Sequence, residues 1–569
     1  MKYTHHNNEL NKTHLQQEVY LKGWVSKKRN LGSLIFIDLR DRFGITQITI
    51  NDQSPLFLKA ESLKSEWVIE VKGIVKLRSS INNNIATGEI EIDAGELNIL
   101  NTSEPLPFPI VNDTNTLEDT RLKYRYLDLR RPVQAKYLLD KSKITGIIRH
   151  TLEKEGFYEL ETPILGKSTP EGARDFLVPS RLYHGSFYAL PQSPQIFKQL
   201  YQIAGFEKYY QIARCFRDED LRADRQLEFS QVDIEASFVE EKDIQDLAEK
   251  ILKNLFKKFL NIAIKTPFLR MTYAQAIKDY GSDKPDRRFA LLLQDADAFQ
   301  EHLSFLNDQY LRALRVHHPS FTRKDYDDYL KVIKQNHGNN LIYIKNNGSD
   351  YSSSVAKYLT PEFLSQLNLA PQEVIFLSSS NDYENLSIAL GALRIKVAND
   401  LKLIDETSYA PLWVVDFPLF EYDTLENRLV ARHHPFTAAK NFDDLQTNPA
   451  TALAKAYDIV LNGYEIGGGS IRIHNSQNQK KVFELLKLSE NDINNRFGFL
   501  IEALKYGTPP HGGIALGLDR IVMLLTHTNN IKDVTAFPKT QSARDLMMEA
   551  PSEIDDDQLK EVGLQCRKD

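Results

Sequence analysis

The stretch Arg214–Phe238, RCFRDEDLRADRQLEFSQVDIEASF, restricts the possible folds of this chain more than any other segment. Arg214, Arg217, Arg222 and Arg225 alternate with Asp218, Glu219, Asp220, Asp224 and Glu228. Phe229, Val232, Ile234 and Ala236 then follow at mostly period-two spacing, the pattern of a sheet. Charge runs usually face water. This one is flanked on both sides by apolar strand-like runs, so a solvated charged hairpin is the weaker reading.

A chain of 569 residues exceeds what one hydrophobic core organises, which predicts three or four domains. Its 42% apolar and 26% charged residues are those of an ordinary globular protein. The net charge of −6 excludes a uniformly basic nucleic-acid coat but leaves room for a local positive surface. Cys215 and Cys566 cannot build a disulfide framework or a four-ligand zinc site, which points to a reducing compartment. No apolar run approaches ~18 residues. The start, MKYTHHNNELNKTHLQQ, lacks the apolar region of an export signal, so a cytoplasmic protein without a membrane segment is expected.

Short alternating apolar runs over residues 19–50 and 66–100 supply the strands of a five-stranded OB-type barrel, expected over 1–105. EPLPFPIVND opens a linker placed at 106–130. An amphipathic helix is expected from about Val133 to Glu155. It begins a second, α+β region over 131–284 that resumes at 412–569 with a C-terminal extension, and 285–411 reads as an insertion without a chemistry-bearing motif. Lys22, Lys27, Lys28, Arg29, Arg40 and Arg42 against Asp38 and Asp41 give six minus two, or +4, between residues 22 and 42. Such a surface would draw a single-stranded nucleic acid.

In YDIVLNGYEIGGGSIRI, Asn462-Gly463 between alternating apolar runs is a strong hairpin signal. A two-residue turn sets Leu461 opposite Tyr464, Val460 opposite Glu465 and Asp458 opposite Gly467. Asp458 and Glu465 then share a face, where their repulsion invites a hard cation such as Mg²⁺. Strict alternation would turn Arg472 to the other face, so a bulge is expected at Gly467–Gly469. GxxxxGK[ST] is absent, which removes the P-loop route to a nucleotide. In GGIALGLDRIVMLL the glycines permit close backbone approach, and Arg520 opens an apolar helix whose N-terminal amides suit a phosphate; pairing of Arg520 with Asp519 is the structural alternative.

FRDEDLRADRQ resembles the second signature motif of class II aminoacyl-tRNA synthetases, in the wording of the bacterial aspartyl group. GFYELETPILGKSTPEGARDFLVPS resembles the first motif and GGIALGLDRIVMLL the third, in the right order. The likeness extends over roughly residues 15–555, with Leu227 where many relatives carry proline. It implies an OB-fold anticodon-binding domain, an antiparallel catalytic sheet interrupted by an inserted α+β domain, and a homodimer built on the first motif. It also implies activation of L-aspartate with ATP and Mg²⁺, and transfer to tRNA(Asp), or to tRNA(Asp) and tRNA(Asn) both.

By the same resemblance Arg217 and Arg520 act on the phosphates. Asp218, Glu219, Gln226, Phe229, Glu465, Gly517, Leu518 and Asp519 complete the ATP site, and Asp458 and Glu465 take the metal. Glu171, Ser193, Gln195, Lys198, Arg217, Asp233, His433 and Arg472 surround the amino acid. Lys198, in LPQSPQIFKQL, and Arg472 offer two cations to a side-chain carboxylate. Arg29, Phe36 and Gln47 would meet anticodon bases, and Leu31 with its loop would influence the choice of tRNA. An asparaginyl enzyme, an amide ligase making asparagine, and a nucleic-acid-binding module with a decayed catalytic domain are the competing readings.

Overall fold

A computed structural model describes residues 3–169, 173–423 and 427–566. The chain divides into two units, Met1–Thr116 and Leu117–Asp569.

In the first unit β1 (Glu18–Asn30), β2 (Leu34–Arg40), β3 (Ile45–Asn51), β4 (Val68–Leu77) and β5 (Ile90–Asn101) close a barrel in the order β1-β2-β3-β5-β4. Alternation drives the closure: Ile35, Ile37 and Leu39 are buried inside, and Phe36 and Asp38 between them point out. The expected +4 patch is smaller than its count, because Arg40 is buried and donates to the buried Glu66 at 2.7 Å. Lys22 pairs with Glu70 at 3.2 Å.

The expected linker is also shorter than 106–130. Helical turns at Glu118–Lys123 and Arg125–Asp128 belong to the second unit. Buried Asp128 accepts from Arg125 and, at 2.6 Å, from Arg131, and Arg125 also reaches the carbonyls of Thr535 and Ala536.

In the second unit α1 (Pro132–Lys154) begins with proline at its first turn, where a missing N–H costs nothing. Next come β6 (Tyr158–Glu159), α2 (Gln195–Ile203), β7 (Lys208–Phe216), β8 (Glu228–Ser237), α3 (Glu241–Leu255), β9 (Leu269–Thr272) and α4 (Tyr273–Tyr280). The inserted segment forms its own five-stranded sheet from β10 (Leu293–Asp295), β11 (Tyr310–His317), β12 (Ile342–Asn346), β13 (Tyr351–Ser353) and β14 (Glu373–Ser380), followed by α5 (Tyr383–Asp400). The chain then returns as β15 (Pro411–Val415), β16 (Ala456–Leu461), β17 (Tyr464–Ile471), β18 (His511–Gly517) and α6 (Leu518–Leu525).

The main sheet has eight strands, β9-β15-β16-β17-β18-β8-β7-β6, antiparallel except where β9 meets β15 and β6 meets β7. Its two faces are chemically distinct. Val232, Ile234, Ile459, Ile514 and Leu516 point to one side and are buried against Ile144, Ile148 and Leu152 of α1, Ile251 of α3 and Ile521 of α6. Full burial of each such side chain contributes about 1.5–3 kcal/mol. The alternate positions of the same strands carry the charged residues. Among the described residues no helix is long and apolar enough to cross a membrane.

Candidate active site

The site is the polar face of the main sheet, and strand register assembles it. Asp233 lies opposite Ala515, Ala515 opposite Gly468, and Gly468 opposite Asp458, so one row crosses four strands. The next row runs Glu235, Gly513, Ser470. Glycine is required at two of these points: a Cβ on Gly513 would sit 2.1 Å from Glu235 Oε2, and one on Gly468 2.7 Å from Asp458 Oδ1.

The Asn462-Gly463 hairpin has the expected turn pairs, Leu461 with Tyr464 and Val460 with Glu465. The expected bulge is present one residue earlier than Gly467–Gly469. Ile459 pairs with Gly467, so Ile466 is the extra residue and Asp458 faces Gly468 instead of Gly467. Ile466 is buried in the core on the other side, which anchors the bulge there. Downstream parity is shifted, and Arg472 is brought to the face that holds Asp458 and Glu465.

One end of this face is a cavity of about 260 Å³, lined among others by Arg217, Glu219, Gln226, Phe229, Glu465 and Arg520. The Arg217 guanidinium lies 5.1 Å over the Phe229 ring. Arg225 holds Glu219 at 2.9 Å, and Asp218 lies 3.6 Å from Arg174. Gln226 is turned to the main chain of Lys539, accepting from its N–H at 2.9 Å. Arg520 donates to the Glu465 carbonyl and, at 3.0 Å, to Asp224, while its Nε has no partner. It does not pair with Asp519, which accepts instead from Lys141 and from the Ser230 N–H at 2.8 Å. Gly517 caps α6 at the cavity. Leu518 places its side chain in the core, so only its main chain can serve a ligand.

The other end holds two cations and two carboxylates, all buried. Lys198, projecting from α2, lies 3.2 Å from Asp233 and 3.5 Å from Glu235. Arg472 grips Glu235 with two nitrogens at 2.9 and 3.2 Å and donates to Ser470 at 2.7 Å. The carboxylates differ in state. Burial pushes Asp233 up despite Lys198, whereas Arg472 and Lys198 overcome burial and hold Glu235 below its usual range. Asp233 Oδ2 and Gln195 Nε2 are buried without a partner, which costs free energy unless a ligand completes them. Ser193 accepts from the Gln195 N–H at 3.3 Å.

The two histidines of ARHHPFT separate. The segment pairs with the end of β17 through Thr437 and Arg472. His434 is the one that touches Arg472, 2.5 Å from its Nη1; burial and then Arg472 hold it well below its ordinary value. His433 turns toward the carboxylates of Asp458 and Glu465, with Nε2 3.6 Å from Asp458 Oδ1. Burial opposes its cationic form, but Asp458 and Glu465 outweigh burial and raise it. Asp458 Oδ1 has no hydrogen-bond partner, and burial and then Asp458 push Glu465 up. Among the described residues no group of three or more His, Cys, Asp or Glu could hold a metal. Glu171 lies outside the described residues.

On the barrel, Arg29 lies 5.4 Å over the Phe36 ring and donates to Gln47 at 3.0 Å. Gln47 also accepts from Arg78 at 2.9 Å and donates to Glu91 at 2.7 Å. Leu31 is 70% exposed in the adjoining loop.

Sequence reasoning missed Glu235 and His434. Glu235 is two residues beyond Asp233 on one strand and so shares its face; that parity was available. His434 needed the long-range pairing with β17, which no local pattern carries.

The arginine-lined cavity lies on an antiparallel sheet, and the sequence has no Walker loop. The family model described as tRNA synthetases class II (D, K and N) matches residues 117–541, and that described as OB-fold nucleic acid binding domain matches 19–100. The chain is 49% identical to the aspartate–tRNA ligase of Aster yellows witches'-broom phytoplasma, covering 100% of this chain and 99% of the relative. It is 50% identical to that of Staphylococcus saprophyticus, with 97% of each covered. It is 48% identical to the aspartate–tRNA(Asp/Asn) ligase of Caldanaerobacter subterraneus, with 99% and 98% covered. The chain therefore belongs to the aspartate–tRNA ligase family of class II synthetases. In fold it is similar to the asparaginyl-tRNA synthetase of Pyrococcus horikoshii in complex with asparaginyl-adenylate, with a TM-score of 0.59 and 20% identity over 94% of this chain and 97% of that one.

Proposed function

We propose that the chain condenses L-aspartate with ATP to aspartyl-adenylate and transfers the aspartyl group to the terminal adenosine of tRNA(Asp). The observation that carries this reading is the buried quartet Lys198, Asp233, Glu235 and Arg472 beside the arginine-lined cavity. The quartet also changes the charge argument. The two cations are not free to meet a ligand as a +2 pair, because two carboxylates neutralise them. Aspartate resolves this by placing its α-ammonium on the open Asp233 Oδ2, with Gln195, Ser193 and Glu171 orienting it. Lys198 and Arg472 against Glu235 alone then leave one net positive charge for the side-chain carboxylate. Neutral asparagine leaves that charge buried and unanswered, which is costly.

Adenine stacks on Phe229 and gives its exocyclic amine to Glu219, and Gln226 closes the cavity through Lys539. Arg217 holds the α-phosphate while the aspartate α-carboxylate attacks it in line. A C–O–P bond forms, the bond to the β-phosphate breaks, and pyrophosphate leaves on the side of Arg520. Asp458 and Glu465 fit Mg²⁺: both carboxyls border Gly468, one Asp458 oxygen lacks a hydrogen-bond partner, and burial and then Asp458 disfavour the charge on Glu465. Asp458 and Glu465 would hold Mg²⁺ there, and it would supply charge neutralisation for the phosphates. A hydroxyl of the tRNA's terminal adenosine then attacks the acyl carbon, AMP leaves, and the hydroxyl proton passes to the adenylate phosphate.

Tyr158, Ile164 and Leu165, which follow α1 and are at least half exposed, support a homodimer seated on this region. Two free cysteines and a tRNA substrate fit a cytoplasmic enzyme. Charging of both tRNAs is the second reading, favoured by the Asp/Asn name of one 48% identical relative. Labelled aspartate and labelled asparagine, each offered with purified tRNA(Asp) and tRNA(Asn), test these points. Aspartate on tRNA(Asp) is expected; incorporation of asparagine would reject the specificity. Replacement of Phe36 by alanine should raise the KM for tRNA about 5- to 150-fold, the worth of one base stack of ~1–3 kcal/mol, and leave pyrophosphate exchange unchanged. An unaltered KM would remove Phe36 from the anticodon site.

A further inference from the structure

Where the inserted segment meets the catalytic sheet, Glu384 in the first turn of α5 holds two residues of the catalytic part. Its Oε1 accepts from the Tyr273 hydroxyl and, at 3.0 Å, from Arg432 Nη2. Arg432 Nη2 also donates to the Tyr273 hydroxyl at 2.5 Å, and its guanidinium lies 4.3 Å over the Tyr273 ring. These groups form one knot, and two routes lead from it to the same histidine. The first is covalent, since Arg432 immediately precedes His433. The second is packing: the Tyr273 ring lies 5.3 Å from Phe417, and Phe417 meets His433 edge-on at 4.7 Å. His433 in turn faces Asp458 at 3.6 Å.

The knot also has an alternative arrangement within reach. Glu421 lies 3.8 Å from Arg432 Nη1, the nitrogen that Glu384 does not engage. The Arg432 side chain is only 20% exposed, so it needs a carboxylate partner. With Glu384 absent, Glu421 is the other carboxylate paired with Arg432 among the described residues, and a shift toward it would draw the His433-His434 segment out of register with Asp458 and Arg472.

We propose that Glu384 is a positioning residue for amino-acid activation, through which docking of the inserted segment fixes the His433-His434 segment against Asp458 and the buried quartet. This inference rests on the reading of the site as one that activates aspartate.

The test uses the full chain and amino-acid-dependent pyrophosphate exchange, with KM for aspartate and KM for ATP measured separately. Glu384→Ala should raise the KM for aspartate about tenfold, within the usual span of coupling between sites, and that for ATP by a smaller factor, since His433 also faces Asp458. Glu384→Gln keeps an acceptor oxygen for Tyr273 and Arg432 and should recover most of the loss. Adding Tyr273→Phe to Glu384→Ala should cost little more, because both break one chain of contacts.

An unchanged KM for aspartate in Glu384→Ala overturns the proposal. So does a parallel rise in both KM values, or full additivity with Tyr273→Phe. If Glu384→Ala does not fold, Tyr273→Phe alone decides: a KM for aspartate raised about threefold supports the coupling and an unchanged one rejects it. Failure of the wild-type chain to use aspartate would instead reject the functional reading, and the variants are then compared with the amino acid that does support exchange.

Discussion

Replacement of Arg217 by alanine is expected to reduce aspartate-dependent pyrophosphate exchange by about 10³-fold or more, the range for deleting a cation aimed at a transferring phosphoryl group. The loss should fall on kcat. In the proposed reading adenine is held by Phe229 and Glu219; the alanine variant takes the guanidinium off the Phe229 ring but leaves Phe229 its place in β8, opposite Cys215, and Glu219 its pairing with Arg225. Lysine at this position should not restore the rate, because a point charge lacks the planar fork that engages two phosphate oxygens. Pre-steady-state measurement of adenylate formation separates this from slow release. Exchange at the wild-type rate in the alanine variant would remove Arg217 from the chemistry.

The second large effect is on stability. Glu235→Ala deletes the carboxylate that both Arg472 and Lys198 address, leaving two buried cations to share Asp233. Breaking a buried pair in this way costs about 3–5 kcal/mol, and here two cations lose their partner together. Glu235→Gln isolates the charge from the volume and should cost nearly as much. Thermal unfolding of the full chain reads the change. Aspartate should stabilise either variant more than it stabilises the parent, since its side-chain carboxylate enters a site now short of negative charge. Unfolding at the parent's temperature would show that the quartet is not held together as described.

How far these features were legible depends on the distance over which each is determined. The barrel and the hairpin were open to inspection because period-two alternation fixes faces locally; Phe36 pointing out between Ile35 and Ile37 follows from three adjacent residues. The shared face of Asp458 and Glu465 followed from a two-residue turn. The position of the bulge did not, because it depends on Ile466 finding the hydrophobic core of the main sheet, to which distant helices contribute. Arg40 was counted as surface charge because its partner Glu66 lies on another part of the barrel. Leu518 was grouped with the ATP ligands by motif position, although its apolar side chain belongs with the helices behind the sheet. Gln226 and Asp519 proved to be braced by Lys539, Lys141 and Ser230, contacts that only tertiary structure supplies.

The extra residue at Ile466 makes the loop from Asn462 to Arg472 intolerant of odd-numbered change. A single deletion there would restore plain alternation, swing the guanidinium of Arg472 into the oily layer behind the sheet and leave Glu235 without its fork, while the turn itself could close as before. Losing or gaining two residues would preserve the handedness of the arrangement. Natural length variation in this hairpin should therefore come in even steps, and a frame-preserving codon deletion should silence the enzyme although every named side chain is still encoded.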